Sequence, residues 1–133
     1  MRVLVTGYKG FIGSTMMKAC AAQNWEVDGY DWDDECLPDV KEYDWVIHLG
    51  AIASINETDV EKVLIQNLDF SQWLFTECDI HGTNLQYASS SSVYGMTDNF
   101  SEDAPCYPDN AYAWSKYLFD RWVTQQNKDI IVH

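Results

Sequence analysis

Tyr112 and Lys116 stand four residues apart in a stretch of helical composition, which puts them one turn apart on one helix face. The pair has a defined chemistry. A neighbouring ammonium stabilises a phenolate, drawing a tyrosine from its ordinary value of about 10 towards working pH, so that it can exchange a proton with a hydroxyl. Upstream, Ser89, Ser90, Ser91 and Ser92 leave an apolar stretch that reads as a strand. Their hydroxyls stand at its carboxyl end, where they can hydrogen-bond a reacting oxygen, although a serine cluster is also ordinary turn chemistry.

A second constellation opens the chain. Gly7, Gly10 and Gly13 form G-x-x-G-x-x-G between a β-branched run and a helical stretch. Glycines there permit a tight turn and the close approach of a pyrophosphate, while the unpaired N–H groups and positive dipole end of the following helix favour the anion. Asp31 lies at the end of the next apolar run, where a carboxylate can accept hydrogen bonds from an adenosine ribose. Asp33, Asp34 and Glu35 follow with no arginine close by, so a 2′-phosphate would meet repulsion. NAD is therefore expected rather than NADP, with Lys9 the residue that keeps the second choice open.

The elements that position these groups alternate. Strands are expected at 2–6, 25–30, 45–49 and 84–88, with a further one at 129–133; helices are expected at 11–24, 59–78 and 111–126. In the second helix Val60, Val63, Leu64, Asn67, Leu68, Ser71, Leu74, Phe75 and Cys78 trace one face. Residues 89–110, with Gly95, Pro105 and Pro108, read as a long functional loop. The alternation predicts an α/β fold: a single Rossmann-type domain over 1–133, with a doubly wound parallel sheet and ligands at the carboxyl ends of its strands. Too few residues separate Asp31 from Trp45 for another helix, strand and helix, so the outer strand of the first half is expected to be lost or reduced to a stub at 35–37.

Composition narrows the function classes. Acidic residues outnumber basic ones 21 to 8, and a surface this negative repels phosphate backbones, so nucleic acid is not an expected partner. No apolar run is long enough to span a bilayer and no cleavage site follows the first one, so a cytoplasmic protein without a membrane partner is expected. Cys20, Cys36, Cys78 and Cys106 are scattered without a C-x-x-C pair, which suggests free thiols and neither a metal site nor a disulfide framework.

Taken in order, Val3-Leu4-Val5-Thr6-Gly7 through Phe11-Ile12-Gly13, His48-Leu49-Gly50-Ala51, Asn67, the serine segment to Val93-Tyr94-Gly95, Glu102, Pro108 and Tyr112-Ala113-Trp114-Ser115-Lys116 resemble the extended short-chain dehydrogenase/reductases. Within these the chain is similar to the NAD-dependent sugar epimerase/dehydratase family, most of all its ADP-glycero-manno-heptose 6-epimerase and UDP-glucose 4-epimerase branches. The resemblance implies an enzyme acting on a nucleotide-activated sugar with bound NAD. It makes Tyr112 the acid/base, Ser90 a donor to the substrate oxygen, and Lys116 the partner of both Tyr112 and the nicotinamide ribose. Phe11 and Ile12 would offer backbone contacts to the pyrophosphate, Leu49, Gly50 and Ala51 would line the cofactor, and Asn67 would touch it. Family members often dimerise through the two long helices, here 59–78 and 111–126. They also continue into a substrate-binding lobe, so the expectation is a shortened form without that lobe. The competing expectation from another class is a non-catalytic NAD-binding module.

Overall fold

The computed structural model describes residues 1–126, and the strand expected at 129–133 lies outside them. The chain divides into two compact units: Met1–Ala51 with Trp73–Ala88, and Ile52–Gln72 with 89–126.

The first unit is built on strands β1 (Arg2–Thr6), β2 (Glu26–Tyr30), β3 (Trp45–His48) and β4 (Asn84–Tyr87), paired in parallel in the order β2-β1-β3-β4. In β1, Val3, Leu4 and Val5 are all buried, as a central parallel strand covered on both faces requires. Helix α1 (Phe11–Ala22) returns the chain from β1 to β2. It packs Met16, Met17 and Cys20 against Val3, Val5, Val27 and Ile47, where each fully buried aliphatic side chain contributes roughly 1.5–3 kcal/mol. The helix stops two residues short of the expected end because Asn24 takes a left-handed φ of 58°, which asparagine tolerates.

From β1 the chain moves one way to β2, while β3 and β4 extend the sheet the other way. The order therefore reverses at the β1/β3 pair, and ligands of such sheets bind outside the carboxyl ends at that point. The register sets those ends in a row, since Thr6 pairs with both Tyr30 and His48, and His48 pairs with Tyr87. Residues 31–39 only turn and bend, so among the described residues the outer strand is lost rather than kept as a stub. Asp39 then caps a 3₁₀ turn at Val40–Glu42, which leads directly into β3.

The second unit holds the start of a continuous helical run, 60–81, and helix α4 (Ala111–Val123). The run begins as α2 (Val60–Val63) behind an Asp59 cap, widens into a π segment at Leu64–Asp69, and resumes as α3 (Phe70–His81). Asp59 accepts the Lys62 N–H, and the Phe70 N–H reaches back five residues to the Ile65 carbonyl. Val63, Asn67, Ser71, Leu74, Phe75 and Cys78 are buried as expected, but Phe70 joins them, and Val60, just past the cap, is exposed.

Asn110 caps α4 by accepting the Ala113 N–H at 2.9 Å, and α4 ends at Val123, three residues before the expected boundary. It packs on the π segment and on a 3₁₀ turn at Ser91–Tyr94 within the otherwise irregular 89–110 stretch.

Candidate active site

In the first unit the glycine turn has no room for a Cβ at two positions and a tight fit for one at the third. Gly7 has φ +71°, and a Cβ there would lie 2.6 Å from the Gly50 Cα. A Cβ on Gly13 would lie 2.0 Å from the Gly7 carbonyl oxygen, so α1 can approach the turn only through glycine. At Gly10 the closest atom to an added Cβ is the Gly7 carbonyl oxygen, at 3.2 Å. This is the position where the backbone is left bare. Gly10 is also the N-cap of α1 and supplies no side-chain cap, while Phe11 and Ile12 point into solvent at 91% and 64% exposure. The first-turn N–H groups and the dipole end of a twelve-residue helix thus face outward beside a glycine surface. That donor set and that bare backbone fit a pyrophosphate.

The carboxyl ends of β1 and β3 are tied together beneath the turn. Thr6 Oγ1 lies 2.6 Å from His48 Nδ1 and accepts the Gly50 N–H at 3.2 Å, and the Leu49 N–H donates to the Thr6 carbonyl. Leu49, Gly50 and Ala51 are thereby held at the strand ends next to Gly7. Thr6 and His48 stood within the strands of the expected pattern, but only the fold shows that they join each other.

Asp31 follows β2 directly. Its carboxylate accepts the Lys9 N–H at 3.2 Å and the Trp32 N–H at 3.0 Å, which fixes it beside the glycine turn with lone pairs left to accept from a ribose. Lys9 Nζ reaches Asp33 at 2.6 Å and Asp34 at 2.7 Å. These hydrogen bonds raise the proton affinity of Lys9, and the bond from Lys9 holds the Asp34 carboxyl below its ordinary range.

The second unit gathers Asn67, Ser90, Tyr112 and Lys116. Asn67 is 1% exposed, and its Oδ1 accepts the Ile52 N–H at 2.8 Å. Its Nδ2 donates to the Ile52 carbonyl and to Ser115 Oγ, both at 3.0 Å. Ser115 Oγ in turn donates to the Tyr112 carbonyl at 2.7 Å. Both amide hydrogens of Asn67 are therefore spent inside the protein, clamping the backbone at Ile52 and steadying the first turn of α4. Ile52 and Ser115 have no periodic or compositional signal that would single them out.

Lys116 is 4% exposed on α4, one turn beyond Tyr112. Burial lowers its pKa to about 8, against a smaller opposing effect from Asp120 one turn further on. Ser89 Oγ donates to the Asp120 carboxylate at 2.5 Å. Asp120 stands four residues beyond Lys116, a spacing that places the two one turn apart on the same helix face and that the sequence reading passed over. Ser90 Oγ accepts the Ser92 N–H at 3.2 Å as cap of the 3₁₀ turn, a role that leaves its own hydroxyl hydrogen to donate.

A parallel sheet in the order β2-β1-β3-β4, a glycine turn at its switch point and a Tyr-x-x-x-Lys helix define a Rossmann-type fold of the extended short-chain dehydrogenase/reductase class. The family model described as NAD dependent epimerase/dehydratase family matches residues 3–130, and the chain belongs to that family. The chain is 27% identical to the ADP-L-glycero-D-manno-heptose-6-epimerase of Fusobacterium nucleatum over 93% of its own length and 48% of that protein's.

Among solved structures it is similar to the UDP-glucose 4-epimerase of Thermus thermophilus in complex with NAD. The TM-score is 0.81 at 26% identity, covering 99% of this chain and 53% of that one. It is likewise similar to the UDP-glucuronic acid 4-epimerase of Bacillus cereus in complex with NAD. There the TM-score is 0.84 at 25% identity, covering 99% and 54%. The chain thus spans about half the length of the relatives it matches. Among the described residues, no helix is long and apolar enough to cross a membrane.

Proposed function

We propose that this chain is an NAD-binding domain, 1–133, of an oxidoreductase-type epimerase or dehydratase that acts on a nucleotide-activated sugar. The observation that carries the reading is Lys116, an ammonium buried to 4% exposure one turn from Tyr112 in a chain of this family. A non-catalytic NAD-binding module has no need of such a pair. The relatives named above are nucleotide-sugar epimerases, two of them solved with NAD, which supports both the substrate class and the cofactor.

In this reading the first-turn N–H groups at Phe11, Ile12 and Gly13 hold the pyrophosphate, and Gly7 and Gly10 leave room for it. Asp31 accepts from the adenosine ribose, and Leu49, Gly50 and Ala51 line the cofactor. Bound NAD supplies a hydride acceptor and donor. Tyr112 removes the proton of a sugar hydroxyl and later returns it, Ser90 donates a hydrogen bond to the same oxygen, and Lys116 favours the phenolate and binds the nicotinamide ribose. Asn67 supports the site through Ile52 and Ser115.

The exposed apolar side chains Val60, Ile65, Trp114 and Leu118 on the helices of the second unit support a homodimer formed through them. The reading includes a cytoplasmic setting, in which buried thiols such as Cys20 and Cys78 stay reduced.

The test is single-turnover spectroscopy of the chain with NAD and a panel of UDP-, GDP-, ADP- and dTDP-sugars. Because the chain spans only about half the length of the relatives it matches, NAD binding with slow or no reduction of the bound cofactor by any sugar is expected, and such reduction as is seen should vanish in Tyr112→Phe while NAD affinity persists. Reduction that is unchanged in Tyr112→Phe would remove the role given to that residue.

A further inference from the structure

Lys9 lies inside the glycine turn, between Gly7 and Gly10, and its backbone N–H donates to Asp31, the carboxylate read above as the ribose acceptor. A cation at this place is where a phosphate on the 2′ position of that ribose would look for a partner. In this chain its ammonium is already engaged. It sits 2.6 Å from Asp33 Oδ1 and 2.7 Å from Asp34 Oδ1, and 5.5 Å from the centre of the Tyr8 ring.

The rest of the arrangement is tied together by close contacts and hydrogen bonds. The Tyr8 ring lies so close on Gly29 that a Cβ there would come within 2.3 Å of it, and the Gly7 N–H donates to the Tyr30 carbonyl at 2.8 Å. Asp34 is fixed separately: its Oδ2 accepts the Asp31 N–H at 2.7 Å, and its own N–H donates to the Asp31 carbonyl. Turn and acidic loop are thus docked on each other, with the lysine paired to two carboxylates at the surface.

Counting Lys9 as one positive charge and Asp31, Asp33 and Asp34 as three negative ones leaves this corner at −2. With Asp33 and Asp34 neutral, the same corner would be at zero and the lysine would have no carboxylate on its Nζ. We propose that Asp33 and Asp34 are the cofactor-specificity residues of this chain: they occupy Lys9, which is otherwise a ready-made anchor for a 2′-phosphate, and so convert a latent NADP(H) site into an NAD(H) site. The proposal rests on the reading of Asp31 as the ribose acceptor and assigns the selectivity to residues beyond it. Asn in place of either aspartate keeps the size and, at 34, an oxygen for the Asp31 N–H, so the loop is retained while the charge goes.

The experiment titrates NAD and NADP by calorimetry into wild type, Asp33→Asn, Asp33→Asn/Asp34→Asn, and that double variant with Lys9→Met. Wild type favours NAD. The double variant should shift the NADP-to-NAD affinity ratio towards NADP by about tenfold, the order expected for removing two charges close to a phosphate at a solvated site. Asp33→Asn, whose carboxylate is 74% exposed, should give part of that shift even if the double variant folds poorly. Adding Lys9→Met should cancel the shift, and raising the salt concentration should shrink it.

A ratio within about twofold of wild type in both Asn variants, against the several-fold effect expected of one nearby charge, overturns the proposal while leaving NAD binding intact. A shift that survives Lys9→Met also overturns it, because it would then come from overall charge. Wild type that binds neither dinucleotide would bring down the NAD-binding reading itself, and this proposal with it.

Discussion

Asn67 and Ser115 are 48 residues apart in the chain and share a 3.0 Å hydrogen bond inside the second unit. Through it one buried amide ties the backbone of Ile52 to the first turn of α4, where Tyr112 sits. The network is fully satisfied, so removing one member strands the others. Asn67→Ala leaves both the N–H and the carbonyl of Ile52 without the amide, and the expected cost is about 2–4 kcal/mol of folding stability. Ser115→Ala removes one acceptor and should cost about 1 kcal/mol. Urea denaturation of the two variants beside wild type measures both, and equal, near-zero costs would show that the clamp is incidental.

Gly10 and Gly13 separate binding from folding. Gly13→Ala puts a methyl 2.0 Å from the Gly7 oxygen and should cost about 1–3 kcal/mol, in line with overpacked sites. Gly10→Val meets a single tight neighbour at 3.2 Å, so it should cost less stability than Gly13→Ala and leave the protein folded while NAD affinity falls steeply. Thermal unfolding paired with cofactor titration distinguishes the two. The expectation fails if Gly10→Val binds NAD as wild type does.

Lys116 gives the apo protein a pH signature. Its pKa falls from 10.5 to about 8 on folding, so between those values the unfolded chain holds more protons and stability rises with pH. Cys78, pushed up to about 12 from 9.0 by burial, works the other way as pH rises through 9.0, as does the smaller upward shift of Cys20. Between pH 8 and 9 Lys116 should add about 1 kcal/mol, while the cysteines, which begin to ionise in the unfolded chain, take back a part of it. Denaturant titrations at the two pH values should show a change about 1 kcal/mol more favourable in wild type than in Lys116→Met, where the lysine contribution is gone and the cysteine contribution stays.

The parts read correctly from the sequence are those whose cause is local. β1 at Arg2–Thr6 is a β-branched run closed by a glycine, and the glycine turn, Asp31 after β2, and Tyr112 and Lys116 on one helix follow from spacing alone. The loss of the outer strand was a matter of counting residues between Asp31 and Trp45. What escaped was set by tertiary contacts. The π segment at Leu64–Asp69 leaves the composition of an ordinary helix unchanged, so nothing in the sequence marks it. The Asn67–Ser115 bond, the Thr6–His48 pair, the Ser89–Asp120 bond and the capture of Lys9 by Asp33 and Asp34 join residues that no periodicity links.

Calorimetric titration of the 133-residue chain with NAD tests the central claim most directly. The account predicts saturable one-to-one binding, tighter for NAD than for NADP, that Gly10→Val removes without unfolding the protein. Absence of saturable binding by a folded wild-type chain, or binding that Gly10→Val leaves untouched, would contradict it.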